Sequence, residues 1–423
     1  MQNRYYQITI GFLLWLLAVL FVFGYTPTND TEGYIEYARI CLAEHQPYPC
    51  QALFTGQPFI WNIGSINLVA TSLWLFGSVY PLLLLFCLLK ALTALLLALT
   101  TERLLGRRAA LAVLILYVLY PNNWGQSTTL MSEIPSAFLT MWAVWLIVCR
   151  RKWWQLLTAG ILLALANWFR PTAILFIVAL SAWLLYQLRK QAWTRIAAIV
   201  AGYLLAIVVI GMESRLRTGH FIYQAESLWC NMVDECYDNA PVAPHYGEPL
   251  WQEGRPRYIE GHEQLTCFEC ADIWRSRSLD WLKDHKLEYL SKIPGRLFYM
   301  YGMPDIDNMN AFLSDKSKAE NNYITIPYRH LLEQANTLSL AQWLALLNTL
   351  LYYSLVIAAL VSIVWLIYKR QTAGLFLPLV VVVFGSLALA LVMHGETRFK
   401  DPFMPYVFML AASWFSSTPA SAR

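Results

Sequence analysis

Charge is what this sequence has least of. Only 14% of its 423 residues are Asp, Glu, Lys or Arg, while 58% are hydrophobic, a balance that excludes a soluble globule of ordinary composition. Also missing are the glycine patterns of a P-loop or a dinucleotide-binding turn, so a nucleotide-sugar reaction on the cytoplasmic side has no support. Internal repeats and low-complexity tracts are absent, and with them the half-to-half hydropathy symmetry common in secondary transporters. No nucleic-acid partner is expected.

What the sequence does have is long apolar runs, and its mean hydropathy is +0.44. They cover residues 8–22, 82–99, 110–119, 134–149, 156–168, 173–188, 196–211, 344–367, 374–392 and 402–414. That pattern predicts an all-α polytopic membrane protein with about ten spanning helices, since each span needs about 20 residues and several runs must extend into their flanks. Cations gather between alternate spans and at the termini, as at Arg103, Arg107, Arg108, the run Arg150-Arg151-Lys152, Arg189, Lys190 and Arg195. The positive-inside rule makes that face, and both termini, cytoplasmic. The first run is long and has no small-residue cleavage site after it, so it is read as a span and not as a cleaved signal.

The opposite face then receives a first loop at 25–80, tight turns around Asn122 and Arg170, and a large loop. Three regions are expected: a transmembrane module at 1–212 carrying the first loop, a large outer domain at 213–339, and C-terminal transmembrane helices at 340–423. The large loop is far longer than a connector needs. Within it 271–290 and 293–300 look helical and 239–257 irregular. All seven histidines lie on the outer side, as do Cys41, Cys50, Cys230, Cys236, Cys267 and Cys270, whereas Cys87 and Cys149 fall inside spans. An even cysteine set on one side predicts disulfides in an oxidising compartment, with the pairing open. The single C-x-x-C at Cys267 lacks the second pair of a zinc site. No cofactor is expected, and a divalent metal is left open.

Four short segments carry unusual residues, all at the outer boundary. Asn29 to Tyr37 opens the first loop, and helical spacing puts Asp30, Tyr34 and Tyr37 on one face. Asp30 also suits an N-cap. Glu133 starts the fourth span, where the helix dipole favours an acid. Arg170 turns between the fifth and sixth spans against the positive-inside pattern, although an arginine can snorkel to headgroups. The strongest cluster ends the ninth span and holds His394, Glu396, Arg398 and Lys400. Cations there suit a phosphate partner or lipid headgroups. Asp30, Glu133, Arg170 and Arg398 are expected to line one cavity. Lys90, well inside the second span, is an intramembrane charge with no assigned role.

Taken in order, Asp30-x-x-x-Tyr34, Gln57-Pro58, Ser132-Glu133-Ile134-Pro135, Arg170-Pro171-Thr172 and Glu396-x-Arg398-Phe399-x-x-Pro402-x-x-Pro405 resemble the GT-C fold glycosyltransferases. The nearest branch contains the protein O-mannosyltransferases and the lipid A aminoarabinose transferases. Many relatives carry Asp-Glu and His-Pro-Pro where this chain has Asp30-Thr31 and Gln57-Pro58-Phe59. The resemblance implies a GT-C-like bundle, a polyprenyl-phosphate donor of a hexose or pentose, and a lipid, glycan or protein acceptor arriving at the periplasmic face of a bacterial inner membrane. It implies Asp30 as the catalytic carboxylate. Arg170, Arg398 and Lys400 suit the phosphate; Glu133 and Tyr34 suit positioning of base or acceptor; Glu396 and His394 flank the cations as further substrate contacts. The rivals are a lipid-linked glycan transporter or flippase, and an O-antigen polymerase or ligase-like enzyme. A transporter should show repeat symmetry or broken helices, and the position of the Asp30 segment directly after the first span favours GT-C over a polymerase.

Overall fold

Every apolar run read from the sequence is helical, and no strand occurs among the described residues. The structure is a computed structural model that describes all residues except 1, 28, 49–60, 151, 238–252, 305–312, 314–325, 370–373, 394 and 417–423. In chain order the helices are α1 (Gln2–Phe23), α2 (Asn29–Ala43), α3 (Ile63–Phe76), α4 (Tyr80–Leu105), α5 (Arg107–Leu119), α6 (Asn122–Gln126), α7 (Glu133–Cys149), α8 (Trp153–Phe169), α9 (Ala173–Leu188) and α10 (Ala192–Thr218). Then come α11 (Leu228–Tyr237), α12 (Cys267–Asp284), α13 (Lys286–Ser291), α14 (Ile293–Gly302), α15 (Leu331–Gln334), α16 (Leu340–Lys369), α17 (Phe376–Val392) and, after a 3-10 segment at Thr397–Phe403, α18 (Met404–Ala411).

The chain is an all-α polytopic membrane protein. Among the described residues Asn3–Phe23, Tyr80–Leu105, Ala173–Thr218 and Leu340–Trp365 are long and apolar enough to cross a membrane by length and composition. The remaining apolar helices are shorter, and the 17 residues of α7 or α8 rise only about 26 Å. That is just under a hydrocarbon core of about 30 Å, so their capping residues must complete the crossing. One apolar core joins α1 to α5, α7 to α10 and α16 to α18. Outside it Phe21, Val22, Val209, Val364 and Ile367 stay exposed, an outward face suited to lipid and not to water.

Close helix crossing depends on two glycines. A Cβ on Gly160 of α8 would lie 2.0 Å from the carbonyl oxygen of Ile199, and one on Gly202 of α10 would lie 2.0 Å from that of Leu157. These residues let the two backbones touch, as small residues do between membrane helices.

The first loop is more ordered than its sequence suggests. Helix α3 is apolar but only 14 residues long, about 21 Å of rise, too short to register as a span. It packs on α2, which buries Tyr34, Tyr37, Ala38 and Cys41. In the large loop Thr266 caps α12: its hydroxyl accepts from the Glu269 backbone at 3.2 Å, and the Glu269 carboxylate accepts from the Thr266 N–H at 2.8 Å. That is a capping box written in the sequence as T-x-x-E. Helices α11 and α12 close a small core of Cys230, Val233, Ile259, Cys270 and Trp274. The disulfides expected on this side are not formed among the described residues; Cys230, Cys236 and Cys270 are buried thiols, and burial pushes the Cys270 thiol up to about 11. Cys50 lies outside the described residues.

Two ion pairs tie the large loop together and to the bundle. Arg257 pairs with Asp234. Arg296, on α14, pairs with Glu235 of α11 at 2.6 Å and donates to the Ala390 carbonyl of α17 at 3.0 Å. Tyr289 adds a 2.6 Å bond to the Leu391 carbonyl.

Candidate active site

Residues from five places in the chain meet beside the N-terminal end of α7 and the C-terminal end of α8. Asp30 stands in the first turn of α2, where an acid is favoured by the helix dipole. Its Oδ2 accepts from Arg398 Nη1 at 2.5 Å, and Arg398 Nε lies 2.8 Å from Glu396 Oε1. The guanidinium is thus shared between two carboxylates. The side chains of Arg398 and Asp30 are 24% and 30% exposed, whereas Glu396 is 8% exposed. Glu396 is thus the buried partner of the arginine and Asp30 the partly exposed one. Desolvation works against the Arg398 charge, but Asp30, Glu396 and Glu133 outweigh it and raise the guanidinium pKa well above its ordinary value.

A second pair lies alongside. Glu133, the first residue of α7, accepts from Arg170, which caps the C-terminus of α8. The Arg170 guanidinium sits 5.7 Å from the centre of the Phe399 ring, so the α8–α9 turn rests against the segment that carries Arg398. The two pairs are linked through Asn62, whose Nδ2 donates to Tyr34 Oη at 2.7 Å and lies 3.3 Å from Ser132 Oγ. Ser132 in turn donates to Glu133 Oε2 at 3.2 Å. Burial first, then the charges of Asp30 and Glu133, raise the Tyr34 phenol well above its usual pKa. The hydroxyl therefore stays protonated and the ring serves as a fixed wall, edge-on to Trp61 at 5.6 Å.

A cavity extends inward from the Glu133–Arg170 pair. It is lined by residues of α4, α5, α6, α7, α9, the 3-10 segment and α18, among them Lys90, Gln126, Thr140, Asp401 and Tyr406. Thr140 lies seven residues into α7, so the cavity reaches about 10 Å below the helix end. Asp30 and Arg398 do not line it. The single cavity expected for all four charged residues is therefore two adjoining features, an open rim at Asp30–Arg398 and an inner cavity headed by Glu133–Arg170.

Lys400 is placed otherwise than the sequence suggested. It is fully buried, and its ammonium donates to the carbonyls of Thr397, Met303 and Met300 at 2.7, 2.8 and 3.1 Å. With three donors on three carbonyls it ties the 3-10 segment to the end of α14 and presents no N–H to a phosphate. His394, Gln57 and Pro58 lie outside the described residues. Residues the sequence reading passed over are Asn62, Gln126 and Asp401. Ser132 stood inside a quoted motif without a role, and Asn62 carries no local signal at all.

The described residues thus form an all-α polytopic bundle with two carboxylate–arginine pairs close to its helix ends. Residues 67–212 of this bundle match the family model described as dolichyl-phosphate-mannose-protein mannosyltransferase. Over that segment the chain is similar to the GT-C mannosyltransferases of this family, which supports a membrane glycosyltransferase with a lipid-linked donor. The matched segment contains Glu133 and Arg170, while Asp30, Glu396 and Arg398 fall outside it. No curated protein and no solved structure matches the chain.

Proposed function

We propose that this protein transfers one sugar, a hexose or a pentose, from a polyprenyl-phosphate donor to a hydroxyl of a lipid, glycan or protein acceptor at the periplasmic face of a bacterial inner membrane. The single observation carrying the proposal is the Asp30–Arg398 pair, in which a carboxylate and a guanidinium bond each other and are both partly exposed. The chemistry needs both. The acceptor oxygen attacks the anomeric carbon and its proton passes to Asp30; the bond from that carbon to the phosphate oxygen breaks, and the electron pair leaves with the phosphate. Arg398 stabilises the charge that grows on that oxygen, with Arg170 beside it.

The resting arrangement supports this division. Arg398 holds Glu396 on one edge and Asp30 on the other. A phosphate that engages the guanidinium competes with Asp30 and releases its carboxylate to serve as a base, while Glu396 keeps the arginine in place. Tyr34 and Glu133 fix the walls of the site through Asn62 and Ser132. The outer orientation rests on the cation asymmetry of the loops, and the large domain at 213–339 is proposed to lie on that same side.

The test is turnover of a radiolabelled polyprenyl-phosphate sugar by the purified protein in liposomes supplied with periplasmic extract. Label passing to a non-prenyl product, with release of polyprenyl phosphate, is the expected result. Intact donor after incubation with mannosyl, glucosyl and aminoarabinosyl lipids alike would overturn the proposal.

A further inference from the structure

The inner cavity has a polar inventory that is almost, but not completely, satisfied. Lys90 donates to the Gln126 carbonyl oxygen, and Gln126 donates to Asp401 Oδ2 at 2.5 Å. Thr93 and Ser136 donate to the backbone carbonyls of Leu89 and Ala166. Two atoms are left over: the Asn122 carboxamide oxygen and the Tyr406 hydroxyl are buried without a hydrogen-bond partner, on side chains that are 2% and 1% exposed. Both side chains line the same cavity. An orphaned buried polar atom is costly, and at this depth in a membrane bundle no bulk water relieves it.

The leftover atoms restrict what can enter. A carboxamide oxygen needs a donor and a phenol can give or take, so the complement must carry hydroxyls or amines. A phosphate or carboxylate offers acceptors only, and a prenyl chain offers neither. The charges around the cavity also balance, Lys90 against Asp401 and Arg170 against Glu133, which removes any net attraction for an ion. An uncharged, hydroxyl-rich ring meets both conditions.

We infer that this cavity is the glycosyl subsite, in which Tyr406 and Asn122 read the hydroxyls of the donor's sugar while the phosphate stays at the Arg398 rim. The inference rests on the proposed transfer reaction and adds which residues set sugar specificity. The Lys90–Gln126–Asp401 chain is the charge-neutral floor, and this gives the intramembrane lysine a role that requires no transport.

The test separates sugar from phosphate. Binding of farnesyl phosphate and of its C-mannosyl and C-glucosyl phosphonate analogues is measured on the full-length protein in detergent for wild type, Tyr406→Phe and Asn122→Ala. Tyr406→Phe keeps the ring and removes only the orphaned oxygen, so the fold is preserved. Both variants should bind farnesyl phosphate as wild type does and bind the preferred glycosyl analogue about tenfold more weakly, the loss of one hydrogen bond. Equal weakening for the bare lipid phosphate, or no change with either analogue because the cavity holds only water, overturns the inference. Wild type that binds all three ligands alike overturns it and leaves the proposed function standing. Wild type that binds none of them overturns both.

Discussion

Two carboxylate–arginine pairs on this protein have the same chemistry and opposite settings. Glu235–Arg296, in the large loop, is sealed: its side chains are 4% and 0% exposed, and the arginine also bonds a carbonyl of α17 and stacks 4.6 Å from the Tyr289 ring centre. Asp30–Arg398 is open, at 30% and 24% exposure. A sealed pair whose every direction is filled by protein can only hold elements together. An open pair backed by a second carboxylate has an edge to offer a ligand. Residue type does not separate a clamp from a site; the fraction of the ion pair left for another molecule does.

The contrast can be broken by substitution. The largest expected effect is on transfer, where Asp30→Asn should lower the rate by about 10²–10⁴-fold, the usual range for removing a general base, with thermal stability near that of wild type. Arg296→Ala should do the reverse. Removing it strands a buried carboxylate and should cost about 3–5 kcal/mol of stability, seen as a large fall in melting temperature in detergent. If Arg296→Ala instead melted like wild type, the sealed pair would not be the clamp inferred here. Arg398→Ala should leave the melting temperature almost unchanged and weaken binding of a lipid phosphate by about 10–100-fold, the loss of one charged hydrogen bond.

The smallest expected effect concerns Glu226, in the loop segment after α10, whose carboxyl is raised by burial to about 7. An acid with a raised folded pKa adds stability that is fully present below its unfolded pKa and lost as pH rises through the folded value. Unfolding free energy should therefore decline between about pH 5 and pH 8, by an amount on the order of 1 kcal/mol once partial solvent exposure is allowed for, and the melting temperature should fall with it. Glu226→Gln should flatten that slope, and an unchanged slope would assign the pH dependence elsewhere.

Much of the fold was legible because apolar runs in a membrane protein have few alternatives to helix. The acid at Asp30 was an equally local signal, whereas the T-x-x-E box that starts α12 at Thr266 was passed over although it too is local. Helix α3 was missed because a 14-residue apolar stretch falls below the length that marks a span. In the site, Asp30, Glu133, Arg170 and Arg398 were readable as charges in places where charge is costly. Asn62 was not, since an asparagine before a helix looks like any cap, and its link between Tyr34 and Ser132 exists only after α2 and α7 have packed. Lys90 and Asp401 stand 311 positions apart in sequence, so nothing local could reveal that Gln126 joins them. Lys400 was misjudged for the same reason, because its carbonyl cage is supplied largely by the end of α14.

The most direct test pairs binding with transfer on two variants. A non-transferable polyprenyl-phosphate sugar analogue and a transferable donor are given to Asp30→Asn and to Arg398→Ala. The expected result is that Asp30→Asn binds the analogue as wild type does and transfers almost nothing, because the amide keeps the shape of the carboxylate but accepts no proton at neutral pH, whereas Arg398→Ala loses binding and transfer together. Transfer at the wild-type rate by Asp30→Asn would contradict the assignment of the open pair as the reacting site, and the base would then have to be sought at Glu32, Glu36 or Glu133.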